Sequence, residues 1–291
     1  MIDHIPPDWP NREISRMISS GTIDWHIQSC GTGPDILFLH GAGASTHSWG
    51  ETLRLLEDRF TCHAVDLPGH GFTTGAQSFQ LSLSGMVREL TSLIEKIGIS
   101  PELLVGHSAG AAVAVSYAEH NSHLPIVAIN GAFEAFEGWA GVMFPMIAQS
   151  MVAVPLVRDF FTIPLAQSSD IERLINSTGS LLNAEGIGRY RYLLKRREHI
   201  TGTLGMMARW NLSVDMPRGP MIQSHITFVQ AQDDGTVPFN STKTFRQSVP
   251  NADEIVFERG GHLIHELFPD RISTIVAGVI DAEKPHSEAR L

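Results

Sequence analysis

The feature that most constrains this chain is the pentapeptide Gly106-His107-Ser108-Ala109-Gly110. It follows the apolar run 103–105 directly and leads into the small-residue stretch AGAAVAVSYA. That context predicts a strand, a tight turn and a helix, with a serine at the bend. Glycine is needed two residues either side of the serine, because a bulkier residue would collide with the sheet or the helix. A serine held this way carries a strained backbone and presents its Oγ at the end of the sheet. Amides at the start of the next helix then face any negative charge that develops there. The pentapeptide alone is common; between a strand and a helix it reads as a nucleophile.

A nucleophilic serine needs a base and an acid to orient it, in the chain order serine, acid, histidine. The run 226–229 leads into Ala231-Gln232-Asp233-Asp234-Gly235-Thr236-Val237-Pro238. Two aspartates compete there. The spacing D-x-x-V-P favours Asp234 and leaves Asp233 as a solvated or capping neighbour. The end of the preceding strand, Asn130-Gly131, offers no carboxylate, and Glu134 lies further on as a weaker alternative. The base is expected after the last strand, where Gly260-Gly261-His262 places a histidine on a pliant loop. His265 lacks that glycine context and is expected at the surface or behind the site. His40-Gly41-Ala42-Gly43 can bend back toward the serine, so the amides of Ala42 and Ala109 are expected to form an oxyanion hole. His40 reads as a structural hydrogen-bonding residue. So do Asp66 and His70 of the turn Asp66-Leu67-Pro68-Gly69-His70-Gly71.

The rest of the chain fits an α/β fold. Residues 16–19 and 24–29 read as a hairpin about Ser20-Gly21. The runs 36–39, 62–65, 103–105, 126–129, 226–229 and 254–257 read as strands buried on both faces. Helical patterns fall between them, at 49–56, 83–97, 109–119, 242–249 and 270–280. The alternation predicts a mostly parallel sheet covered by helices on both sides. It breaks between Phe133 and Gly219, giving a core at 1–133 and 220–291 with a helical cap at 134–219. Residues 1–12 read as a polar, Pro-rich arm, and 283–291 as a fraying end. Residues 138–157 carry no charge, but Pro145, Pro155, Gln149 and Ser150 argue for a buried or groove-lining helical segment; peripheral membrane contact stays open and a true span is rejected. Cys30 and Cys62 are too few for a disulfide framework or a zinc site, which suits a reducing cytoplasm. The opening residues carry no secretory-signal pattern. A net charge of −10 repels phosphate backbones and argues against a nucleic-acid partner.

Together HGAG, DLPGHG, GHSAG, DDGTVP and GGH resemble the α/β-hydrolase superfamily over residues 14–282. Within it, HGAGASTHSW, DLPGHGFT, LSLSGM, GHSAGAAVA, INGAFEAFEGWAG and MMARWNL are similar to the magnesium-chelatase accessory proteins of bacteriochlorophyll biosynthesis. The resemblance implies a protein acting on or near a tetrapyrrole, cytoplasmic or peripheral to the membrane. Its partners would be a small-molecule substrate such as a magnesium porphyrin, and the chelatase itself. Three readings stay open: a serine hydrolase acting on a tetrapyrrole ester, a non-catalytic binder of pigment precursor or chelatase, and a general esterase or C–C hydrolase. None needs a metal or organic cofactor. His107, Trp49, Trp139 and Phe144 are candidate pocket residues. Met143, Met146, Met151, Phe160 and Phe161 would extend an apolar wall suited to a flat ligand, or simply pack the cap. Arg189, Arg191, Lys195, Arg196 and Arg197 could meet a carboxylate, though a solvated helix face is the plainer reading.

Overall fold

A computed structural model describes residues 2, 4–120, 124–134 and 168–288. Eight strands form one sheet in the order β1-β2-β4-β3-β5-β6-β7-β8. They are β1 Ser15–Ser20, β2 Ile23–Cys30, β3 Asp35–Leu39, β4 Thr61–Val65, β5 Pro101–His107, β6 Ile126–Ile129, β7 Ile226–Ala231 and β8 Ala252–Phe257. β1 and β2 pair antiparallel, as do β2 and β4, and every pairing from β4 through β3 to β8 is parallel. Each expected strand is present, most of them one or two residues longer than the apolar run that marks it.

Ten helices alternate with or flank these strands among the described residues: α1 Gly50–Leu56, α2 Leu83–Ile97, α3 Ala109–Ala118, α4 Ser168–Ser177, α5 Ala184–Leu193, α6 Arg197–Met207, α7 Leu212–Asp215, α8 Lys243–Ser248, α9 Ile264–Leu267 and α10 Pro269–Glu288. The helix α2 shows how local sequence sets the bounds. Ser82 caps its start by accepting the Gly85 N–H, and Gly98 ends it in the left-handed region at φ 69°. Its stripe of Leu83, Met86, Val87, Leu90, Leu93 and Ile94 is buried on one sheet face, where α3 also packs. Trp49, Leu53, Leu56 and the α10 residues Ile272, Val276 and Ile280 fill the other face. The central strands β3, β5, β6 and β7 are thus covered twice, which is why they read as unbroken apolar runs.

Three expectations need correction. The run 254–257 was expected to be buried on both faces, but β8 is the edge strand and mostly exposed. An edge strand has a hydrogen-bonded neighbour on one side only. The N-terminal arm is docked rather than loose: Ile5 and Trp9 are buried in a small cluster with Phe72 and Leu193. The C-terminal helix α10 runs on to Glu288, into the stretch expected to fray.

Helices α4 to α7 lie in the chain between β6 and β7, inside the segment expected as a cap. They dock on the loops at the carboxyl ends of the strands. His199 of α6 accepts the Gly71 N–H at 2.9 Å through Nδ1 and donates from Nε2 to the Gly43 carbonyl at 3.2 Å. Gly202 meets Gly69 backbone to backbone, where a Cβ would stand 1.9 Å from the Gly69 oxygen. The uncharged run 138–157, with Trp139, Phe144 and the other apolar wall residues, lies outside the described residues. No helix of the described residues is long and apolar enough to cross a membrane.

Candidate active site

Ser108 caps the start of α3 with φ 51° and ψ −116°, a left-handed conformation rare for a residue with a side chain. Its neighbours explain the glycines. A Cβ on Gly106 would stand 2.5 Å from the Gly110 oxygen, and one on Gly110 would stand 2.2 Å from the Leu39 oxygen. The strand-to-helix bend and the neighbouring β3 end therefore close only with hydrogen at those positions. Gly41 lies directly against the turn: a Cβ there would meet the Ser108 Cβ at 3.0 Å and the His107 Nδ1 at 2.8 Å. This brings the Gly41-Ala42 backbone beside the serine. Ser108 itself is buried and Ala42 is half-buried.

Asp234 and His262 stand at the ends of β7 and β8. The His262 Nδ1–H donates to Asp234 Oδ2 at 2.8 Å. The other carboxylate oxygen, Oδ1, accepts the N–H groups of Thr236 and Val237 at 2.7 and 2.9 Å. Holding the proton on Nδ1 leaves the His262 Nε2 with a free lone pair for a proton acceptor's role. The two aspartates have divided tasks. Asp233 is not simply solvated: its carboxylate accepts the Gly261 N–H at 2.8 Å and the Gly260 N–H at 3.1 Å, bracing the histidine loop. Glu134 is turned elsewhere and accepts the Phe245 N–H.

The main chain of His262 is held as firmly as its ring. Its carbonyl accepts from Asn130 Nδ2 and from His107 Nε2, each at 2.9 Å. Asn130 also donates to the Gly261 carbonyl and accepts the Ala231 N–H, so one amide ties the ends of β6 and β7 to the histidine loop. Asn130 carries no charge and has no motif of its own, and sequence reasoning passed over it. The signal was its place at the end of β6, where the fold can keep an acid. His107, expected at the pocket, lies under His262, its ring centroid 4.6 Å away. Burial, with His265 and His262 beside it, holds its pKa well below the usual imidazole range.

His265 takes the second of its two expected places, behind the site: it is fully buried, 4.1 Å from the His107 ring and 4.7 Å from the Trp49 ring. Neither of its ring nitrogens has a hydrogen-bond partner among the described residues. Burial, with His262 nearby, pushes its pKa down to about 3. Trp49, expected to line the pocket, is fully buried in the core between Phe38 and His265. The 3-10 turn Thr46–Trp49 buries this side chain instead of presenting it to the site.

The supporting loops are stapled by buried polar groups. His40 donates from Nδ1 to the Gly41 carbonyl at 2.7 Å and accepts the Leu67 N–H at Nε2 at 2.9 Å. Burial lowers its pKa, and a neutral ring is what this pattern of one donor and one acceptor requires. Asp66 is fully buried, which alone would raise its pKa. The His26 ring at 2.7 Å and the N–H groups of Thr46 and Phe72 outweigh that and hold the carboxyl well below the usual range. The basic stretch is partly spoken for: Arg189 pairs with Glu185, and Arg196 lies over the Phe72 ring and donates to the Gly71 carbonyl. No group of three or more His, Cys, Asp or Glu side chains among the described residues is placed to hold a metal ion.

The family model for the alpha/beta hydrolase fold matches residues 34–269. The chain belongs to this family. The Magnesium-chelatase 30 kDa subunit of Rhodobacter capsulatus is 34% identical over 274 residues, 94% of this chain and 96% of that protein. The Pimeloyl-[acyl-carrier protein] methyl ester esterase of Vibrio vulnificus (strain YJ016) is 26% identical over 252 residues, 83% of this chain and 92% of that protein. Among solved structures, a haloalkane dehalogenase variant from Bradyrhizobium elkanii superposes with a TM-score of 0.74 at 20% identity, covering 95% of this chain and 99% of that one. The last likeness concerns the fold alone. Chemistry differs within such a fold according to the residues at the site.

Proposed function

We propose that this chain is a serine hydrolase acting on an ester of a tetrapyrrole, in the role of a magnesium-chelatase accessory protein of (bacterio)chlorophyll biosynthesis. The observation that carries the hydrolytic half is the Asp234–His262 pair at the same end of the sheet as the strained Ser108 turn. Ser108 Oγ attacks the ester carbonyl while His262 Nε2 takes its proton. Asp234 keeps the imidazole in the required tautomer and stabilises the imidazolium. The Ala42 and Ala109 amides hold the oxyanion, consistent with the close approach of Gly41 to the serine. His262 then returns the proton to the leaving alcohol, and water repeats the sequence to release the acid. Any magnesium belongs to the pigment and takes no part in these steps.

The pigment half is supported by the similarity to the Magnesium-chelatase 30 kDa subunit along nearly the whole chain. The similarity to a methyl ester esterase favours an ester as the bond cleaved. A second reading, binding of a pigment precursor or of the chelatase without catalysis, is favoured by one point: that relative is named as a subunit of a chelatase. An acid–base pair at the same end of the sheet as a strained serine speaks for catalysis, since a pure binder gains nothing from the strain. A fluorophosphonate probe should label the wild type and leave Ser108→Ala unlabelled. Absence of labelling on folded wild type would sink the hydrolase reading. Complementation of a deletion strain with Ser108→Ala separates the roles: failure at normal protein level supports catalysis, and full pigment recovery supports binding.

A further inference from the structure

Residues 178–180 follow α4, in the helical segment inserted between β6 and β7, yet their hydrogen bonds go to both loops that carry the candidate acid and base. The Thr178 carbonyl accepts the N–H of Gly235, next to Asp234, and the N–H of His262, each at 3.0 Å. Ser180 is fully buried. Its Oγ donates to the Gly260 carbonyl at 2.9 Å and accepts the Leu263 N–H at 2.8 Å. One hydroxyl thus holds the main chain on both sides of His262.

The contact is backbone on backbone. A Cβ on Gly179 would stand 2.4 Å from the Asp233 oxygen, one on Gly235 2.4 Å from the Ser177 oxygen, and one on Gly261 2.2 Å from the Gly179 carbonyl carbon. Gly179 and Gly261 also take left-handed φ values of 84° and 63°. Three glycines on three separate loops let the insert press directly on the acid and base loops. Nothing in the acyl-transfer chemistry requires this of an insert.

We propose that Ser180 is a positioning residue for His262, and that through it the inserted helical segment sets the reactivity of Ser108. The proposal rests on the hydrolase reading above. It follows from the sensitivity of proton transfer to placement: displacement of a base by about 1 Å costs on the order of 100-fold in rate. Without the Ser180 hydroxyl, the Gly260 carbonyl and the Leu263 N–H lose their shared partner, and the His262 loop relaxes between them.

The test measures fluorophosphonate labelling of the intact protein by mass, reading the rate constant separately from the final labelled fraction. Ser180→Ala should reach the wild-type labelled fraction with a rate constant lower by roughly 10- to 100-fold. Ser180→Cys, nearly the same shape with a weaker donor, should fall between. A fall of less than fivefold in Ser180→Ala overturns the proposal. So does a loss confined to the labelled fraction, which reports misfolding alone. If Ser180→Ala does not fold, Ser180→Cys decides: a rate constant below wild type by threefold or more at full labelled fraction supports positioning, and a smaller change overturns it. If the wild type itself is not labelled, the hydrolase reading fails and takes this proposal with it. If the wild type is labelled and Ser180→Ala matches it, only the proposal fails.

Discussion

The His262 Nδ1 lies 2.8 Å from Asp234 Oδ2, while the neighbouring Asp233 reaches past it to the amides of Gly260 and Gly261. Adjacent carboxylates therefore serve one loop in two ways, one by its ring and one by its backbone. Asp234→Asn keeps the shape but favours the wrong imidazole tautomer. It should lower the labelling rate of Ser108 by about 10³–10⁴-fold with the fold intact. Asp233→Asn keeps one acceptor for two N–H groups and leaves the ring pair alone. Its effect should be about tenfold in rate, with a stability loss of about 1–2 kcal/mol in urea unfolding. Equal rate losses in the two variants would remove the division of labour.

How much of this was legible beforehand differs by residue. Gly106, Ser108, Gly110 and Gly41 were legible because close backbone approach leaves glycine as the sole choice, and such constraints print directly on the sequence. Asp234 was legible by its spacing from Val237-Pro238, since its carboxylate turns back on the next amides. The task of Asp233 was not, because its partners lie 27 and 28 residues away. The same holds for the Ser180 contacts and for the docking of Trp9 on Phe72. For His265 two places were open, the surface and behind the site, and only its packing on the His107 and Trp49 rings decides for the second.

The buried His265 gives a sharp acid-stability prediction. Its folded pKa of about 3 lies below the ordinary value of 6.5, so the unfolded chain binds a proton that the native state refuses. The stability this contributes is present above pH 6.5 and is lost as pH falls toward 3. His199, pushed down to about 4 chiefly by burial, adds to the same window. His265 has no hydrogen bond to lose, so His265→Leu should change stability by less than about 1.5 kcal/mol at pH 7.5. At pH 5 it should be more stable than wild type by urea midpoint. A variant that is less stable than wild type at both pH values would contradict this account.

Glu266 behaves in the opposite sense. Its carboxyl meets the Tyr190 hydroxyl of α5 at 2.5 Å, joining the insert to the helix after His262. Burial raises its pKa from 4.5 to about 7, although the Tyr190 hydrogen bond works against the rise. A raised folded pKa gives stability that is full below about pH 4.5 and is lost as pH climbs through 7. Glu266→Gln keeps an acceptor for Tyr190 and removes the titration. It should flatten stability between pH 5 and 8 and gain on the order of 1 kcal/mol at pH 8, less than the full shift implies because the residue is only half-buried. Paired thermal melts at pH 5 and pH 8 check the sign.

The last prediction concerns the serine turn. At φ 51° and ψ −116° the Ser108 backbone sits where a side chain costs on the order of 1–3 kcal/mol. That strain is useful only if Oγ has work to do. Ser108→Gly removes both the proposed nucleophile and the Cβ that makes the conformation costly, while Ser108→Ala removes the proposed nucleophile alone. Glycine also gives up more freedom on folding, by about 0.5–1 kcal/mol relative to alanine. The net expectation is that Ser108→Gly is at least as stable as Ser108→Ala and as wild type, with neither variant labelled by the probe. Urea unfolding of the three proteins measures it. Were Ser108→Gly the least stable by more than about 1 kcal/mol, the turn would not be storing strain, and the serine would owe its place to packing rather than to chemistry.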